Sequence, residues 1–281
     1  MATTTGPISH ESTRPAGRAS RAAFRALLLR DLTVLRKSLA EFIPRTMLQP
    51  FMLVFVFAYV FPKIGQGVGG SGAGATAFST QLIAGVLGLT VIFQGIQSVA
   101  LPLVNEIGFT REIEDRVLAP LPVGMVGVEK ITNGAINGLI AAVLVFPIAA
   151  IVPATPVHLQ INWLELITLA PLAAATAAAL GLFFGTKFEP RQVPILFGII
   201  VLPITFLGAV YYPWSALSGV KAFGVPWLQI LTLANPLVYM CEGFRAALTP
   251  TPHMSLWAVY PALIGFTLLL GYLGIRGFKR R

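Results

Sequence analysis

Charge is scarce in this sequence. Only 11% of the 281 residues are Asp, Glu, Lys or Arg, where a soluble domain carries about 25%, so a water-soluble globule is excluded. Cysteine is nearly absent: Cys241 stands alone, and an intrachain disulfide is impossible. His10, His158 and His253 are scattered and offer no metal-ligand spacing. No G-x-x-x-x-G-K-[ST] loop occurs, so the chain does not hold ATP in the usual way. Asp-rich pairs of the kind that hold magnesium and a diphosphate are missing. Carboxylates inside the apolar runs are few, and one of them, Glu165, lies near a run's end. These absences argue against an enzyme and against a carrier driven through buried acids. Energy for uphill transport would then have to enter from outside the chain.

Apolar residues are what the sequence has most of, at 56%, with a mean hydropathy of +0.78. The runs are long and show no alternation, so helices rather than a barrel cross the bilayer. The length suits one membrane domain with no separate soluble catalytic domain. The expected fold is an all-α integral membrane protein with six transmembrane helices, at about 42–61, 78–104, 126–151, 163–186, 193–211 and 256–275. An N-terminal amphipathic interfacial helix precedes them, and a re-entrant helical hairpin precedes the last. Residues 1–17, rich in Ser, Thr, Gly and Pro, read as a disordered tail; the membrane domain covers 18–281. No signal peptide is expected, because the apolar run 26–29 is broken at once by Arg30 and Asp31.

On a helical wheel of 18–37, Phe24, Leu27, Val34 and Leu35 share one arc, and Arg18, Arg21, Arg25 and Arg36 the opposite one. Such a helix lies in the head-group plane, its basic face toward anionic lipid. Asp31 falls on the apolar arc and spoils it. Arg45, at the inner end of the first span, is placed to snorkel to the interface. The Gly- and Ser-rich stretch 63–77 reads as a flexible loop, and Pro153, Pro156 and His158 as a short turn. Lys and Arg gather on one side: the N-terminal segment, the loops with Arg111, Arg116, Lys130, Lys187 and Arg191, and the C-terminal Arg276, Lys279, Arg280 and Arg281. The other side holds only Lys63, Lys221 and Arg245. That asymmetry puts both termini in the cytoplasm. It also accounts for the net charge of +9 without nucleic acid.

Three groups of residues are candidates for function. The segment 105–122 packs Glu106, Arg111, Glu112, Glu114, Asp115 and Arg116 between two apolar runs, and charges that dense belong in water. Ile107, Ile113, Val117 and Leu118 give it a thin apolar edge, and Pro120 and Pro122 stop it. This shape suits docking on another protein, though a plain solvated loop fits as well. The stretch 212–255 is too long for a turn and too apolar for a loop, and its prolines and glycines forbid one continuous helix. A re-entrant pair of short helices resolves this. Tyr212, Pro213, Asn235, Pro236, Glu242 and Arg245 are its candidate outer gate, and Glu242 and Arg245, three apart, can pair. Phe51, Phe55, Tyr59, Gln94, Gln97 and Ser98 are candidates for a substrate path, against the plainer reading of helix packing. The Gly134/Gly138 and Gly181/Gly185 pairs read as packing sites.

Two stretches resemble a known family. Glu106-x-x-x-x-Arg111-Glu112-x-Glu114 running into Leu118-Ala119-Pro120-Leu121-Pro122 is similar to one motif. Phe206-Leu207-Gly208-Ala209-Val210-Tyr211-Tyr212-Pro213 with Leu217, then Asn235-Pro236-Leu237 and Arg245, is similar to another. With the order of elements, these resemble the permease subunits of type-2 ABC exporters, including daunorubicin-resistance and polysaccharide-export permeases. The chain departs where the family often has Gly-Thr after its arginine, and no proline follows Leu217 directly. The resemblance implies an inner- or plasma-membrane complex of two permeases, the second expected to be identical, with two copies of a separate ABC ATP-binding subunit. ATP and magnesium would be bound there, and no cofactor by this chain. Segment 105–122 would be the coupling helix, seated in the ATPase. Cargo would be hydrophobic or amphipathic, drugs or lipids, drawn from contact with membrane lipids. Export of a lipid-linked polysaccharide, or a channel or membrane anchor without ATP coupling, are the alternatives.

Overall fold

A computed structural model describes residues 16–67, 70, 72–106, 123–189, 192, 196–222 and 224–278. Helix follows helix, with no strand among these residues: α1 (Ala16–Lys37), α2 (Leu39–Lys63), α3 (Ala73–Asn105), α4 (Val123–Ile151) and α5 (Trp163–Lys187), then α6 (Leu202–Phe206), α7 (Trp227–Thr232), α8 (Pro236–Leu248) and α9 (Leu256–Phe278). Five of them, α2, α3, α4, α5 and α9, are long and apolar enough to cross a membrane.

The expected six spans therefore stand at five among the described residues. The remaining one, 193–211, is seen as six π-helical residues (Leu196–Val201) followed by the five of α6. Those alone are too short for a hydrocarbon core of about 30 Å. The chain then turns at Ala209, whose φ is +54°. The coupling residues Arg111, Glu112, Glu114, Asp115 and Arg116 lie outside the described residues.

α3 is the axis of the fold. Its 33 residues run about 50 Å at 1.5 Å each. It is apolar over most of its surface, as a helix enclosed by others must be, and α2, α4, α5 and α8 surround it. Its closest neighbour is α5. A Cβ on Gly181 would sit 2.7 Å from the carbonyl oxygen of Gly95, so here two backbones touch. The packing reading of the glycine pairs holds. Hydroxyls join α5 to α9, Thr176 Oγ1 to Thr267 Oγ1 at 2.7 Å and Thr168 Oγ1 to Tyr260 O–H at 2.6 Å.

Proline shapes the far end of α2. Residues Phe55–Val60 are π-helical, and Pro62 has no N–H to offer the carbonyl of Ala58 four residues back. Ala154 N–H donates to that carbonyl instead, at 2.9 Å. Ala154 belongs to 152–162, which is not a short turn but an extended strap. Farther along, its Gln160 and Asn162 N–H groups donate to Leu248 and Ala247 carbonyls at 2.9 and 2.8 Å. They cap the carbonyls that the last turn of α8 leaves unpaired.

Candidate functional site

Two polar constellations occupy opposite ends of the bundle. At the α1 end, Lys130 Nζ donates to Glu106 Oε1 at 3.1 Å and lies 3.6 Å from Asp31 Oδ2. Sequence reasoning counted Lys130 with the loop charges, although it falls just inside the third expected span, 126–151. It lies instead in the second turn of α4, with 5% of its side chain exposed. The helix begins at Val123, three residues before the expected span start, and α1 and the end of α3 enclose the lysine, so it needs partners there. Glu106 follows α3 directly as its C-cap, and Asp31 comes from α1. Arg30 Nε and Asn133 Nδ2 also donate to Asp31, at 3.2 and 3.5 Å. The carboxylate that spoiled the apolar arc is thus the one joining α1 to α4. Its apolar neighbours Ala23, Phe24 and Leu27 pack against Val99, Leu103, Val126 and Leu182. Arg21, Arg25, Arg36 and Lys37 stay exposed, as does Val34, which the wheel had placed with the apolar residues.

Beside this cluster opens a cavity of about 680 Å³ between α1, α2, α3 and α4. Gln94, Gln97 and Ser98 of α3 line it, with Glu41, Arg45 and Thr46 of α2 and Asn133 and Asn137 of α4. Thr46 Oγ1 donates to Gln94 Oε1 at 3.4 Å. Half of the proposed substrate path is therefore brought together. The other half is not: Phe51, Phe55 and Tyr59 stand farther along α2 and line no part of this cavity. They stack in a row, centroids 5.8 and 5.4 Å apart.

At the far end, Glu242 and Arg245 pair as expected, Nη1 on Oε1, both side chains fully buried. Trp214 N–H donates to Glu242 Oε1 at 2.8 Å and Met254 N–H to Oε2 at 2.7 Å. Arg245 Nη2 donates to the carbonyls of Ala209 and Tyr212, at 2.8 and 3.4 Å. The pair thus ties α8 to the turn after α6, to the 3₁₀ turn at Trp214–Gly219 and to the start of α9. Asn235 caps α8 by accepting from Leu237 N–H at 3.0 Å, while its amide donates to Ile204 O at 2.7 Å. Pro236 opens the helix at a position where no N–H is needed. Pro213 precedes the 3₁₀ turn, and Tyr212 O–H donates to Phe206 O at 2.8 Å. The six outer-gate candidates thus belong to one tightly bonded region, with α8 buried between α3, α5 and α9.

Asn133, Asn137 and Glu129 were missed. Lys130, Asn133 and Asn137 recur at spacings of three and four along an otherwise apolar run, a polar stripe that marks one helix face. Glu129 is buried beside them.

Residues 22–249 match the family described as ABC-2 type transporter. The inner membrane transport permease YadH of Escherichia coli (strain K12) is 25% identical over 227 residues, 79% of this chain and 82% of the relative. The permease of the same name from Shigella flexneri is similar to the same extent.

Proposed function

Because the chain belongs to the ABC-2 type transporter family, we propose that this membrane subunit works in an ATP-driven exporter of amphipathic or hydrophobic compounds, drugs or lipids. Its relatives are inner membrane transport permeases, and this chain takes the same place, with both termini in the cytoplasm. Two copies assemble with two ATP-binding subunits, which hold ATP and magnesium. Segment 105–122 is the coupling helix, 18–37 the interfacial helix and 212–255 the outer re-entrant element.

The observation that carries this reading is the ionic bridge Glu106–Lys130–Asp31. Glu106 leads directly into the charged segment, and Asp31 sits on the helix that would rest on the same partner. A push on either is passed to α4 through one buried ammonium. The polar cavity beside the bridge faces those same elements and would be the inner mouth of the path.

Reversing two charges of the coupling segment, E112K/E114K, tests the reading. The expected result is loss of copurification with the ATP-binding subunit and loss of ATP-driven efflux from vesicles. Retention of both overturns it.

A further inference from the structure

Glu41 and Arg45 stand one turn apart on α2 and both line the cavity. Opposite charges at this spacing usually meet on a helix, yet neither has an ion-pair partner among the described residues. The remaining charges of the lining are satisfied among themselves, Lys130 between Glu106 and Asp31, and Arg30 on Asp31. The cavity thus offers one open guanidinium and one open carboxylate, roughly 5–6 Å apart at Cβ. The amides of Gln94 and Gln97 share the lining with them. Both charges lie in the first two turns of a candidate span, the level at which a lipid head group sits.

We propose that this cavity binds the head group of a zwitterionic, ethanolamine-type phospholipid, Arg45 taking the phosphate and Glu41 the ammonium. A guanidinium fork matches phosphate oxygens. A carboxylate matches an ammonium that still has N–H groups to donate, which selects ethanolamine over a fully methylated amine. A lipid carrying only negative charge would set its phosphate against Glu41 with nothing to compensate the acid. The volume, about 680 Å³, falls within the roughly 300–1,000 Å³ of small-molecule sites. Val34, Leu35, Phe42 and Leu101 supply apolar surface for the first carbons of the chains. This assignment deepens the exporter reading and rests on it for the bound lipid being cargo.

The test uses the full-length permease in detergent micelles and a fluorescent short-chain phosphatidylethanolamine, followed by polarisation. Saturable binding is expected, displaced by unlabelled phosphatidylethanolamine and about tenfold less well by phosphatidylglycerol or diacylglycerol. R45Q and E41Q each weaken binding about tenfold, the loss of one charge-assisted hydrogen bond. R45E abolishes it, and the exchanged pair E41R/R45E restores most of it, which separates recognition from misfolding. Equal competition by all three lipids, or variants that bind like the natural chain, overturns the proposal. Efflux is read separately in vesicles with the ATP-binding subunit. Selective binding without ATP-driven movement supports the site and overturns the exporter reading; efflux of other amphiphiles without this binding overturns the site and keeps that reading.

Discussion

Glu242–Arg245 at the far end and Asp31–Lys130–Glu106 at the α1 end are both buried ionic clusters, but they are finished differently. Around the far pair, both carboxylate oxygens accept backbone N–H groups and one guanidinium nitrogen donates to backbone carbonyls. Charge there is a staple for backbone that forms no regular helix. Lys130 is held instead by two side chains, Asp31 from α1 and Glu106 from the end of α3, and a polar cavity adjoins them. Charges bound to backbone groups in this way can move only if the fold moves. Charges that meet through side chains on separate helices can exchange partners while every helix stays intact, which suits a part that transmits motion.

The contrast breaks most visibly under R245M. The methionine fills similar space but leaves Glu242 buried without its counter-charge, and a loss of about 3–5 kcal/mol is expected. Thermal unfolding in detergent measures it, and E242L/R245M, lacking both charges, should recover part. A destabilisation no larger than that of an exposed ion pair would show the pair to be ornamental.

K130M comes next in stability but is the more damaging for coupling. Asp31 and Glu106 keep 12% and 14% side-chain exposure, so water partly compensates them, and about 1–3 kcal/mol is expected. ATP-driven efflux should fall far more than folding does, with the ATP-binding subunit still bound. Equal effects of K130M and R245M on transport at equal stability would erase the distinction between the two ends.

N235A is the smallest change. It removes the α8 cap and the hydrogen bond to Ile204 O, together about 1–2 kcal/mol. The melting temperature should drop while efflux below it is unchanged. Selective loss of transport would mean that the far end gates after all.

The helical membrane fold, four of the spans to within three residues and the second to within five, and the Glu242–Arg245 pairing were all legible in the sequence. Length, hydropathy and i, i+3 spacing are local properties, and they survive folding unchanged. Lys130 shows where legibility stopped. A lysine near a span end ordinarily reaches back to water, and only the approach of α1 and α3 reveals that it is enclosed. Asp31 was visible as an anomaly, but an anomaly on a wheel does not name its partner 99 residues away. The strap 152–162 was read as a turn because its bonds go to α2 and α8, both distant in sequence. The aromatic row and the α3 glutamines were joined as one path on chemistry alone, and packing placed them apart.

By itself the sequence determined that this chain lives in a bilayer as a bundle of helices, because transfer of long apolar runs out of water depends on composition and hardly on neighbours. It determined too which residues carry charge that needs an explanation. Only the tertiary structure decided what answers each charge: a backbone at one end, other side chains and an open cavity at the other. Electrostatic partnership is settled over a few ångströms, and such distances between remote segments exist only once the helices have packed.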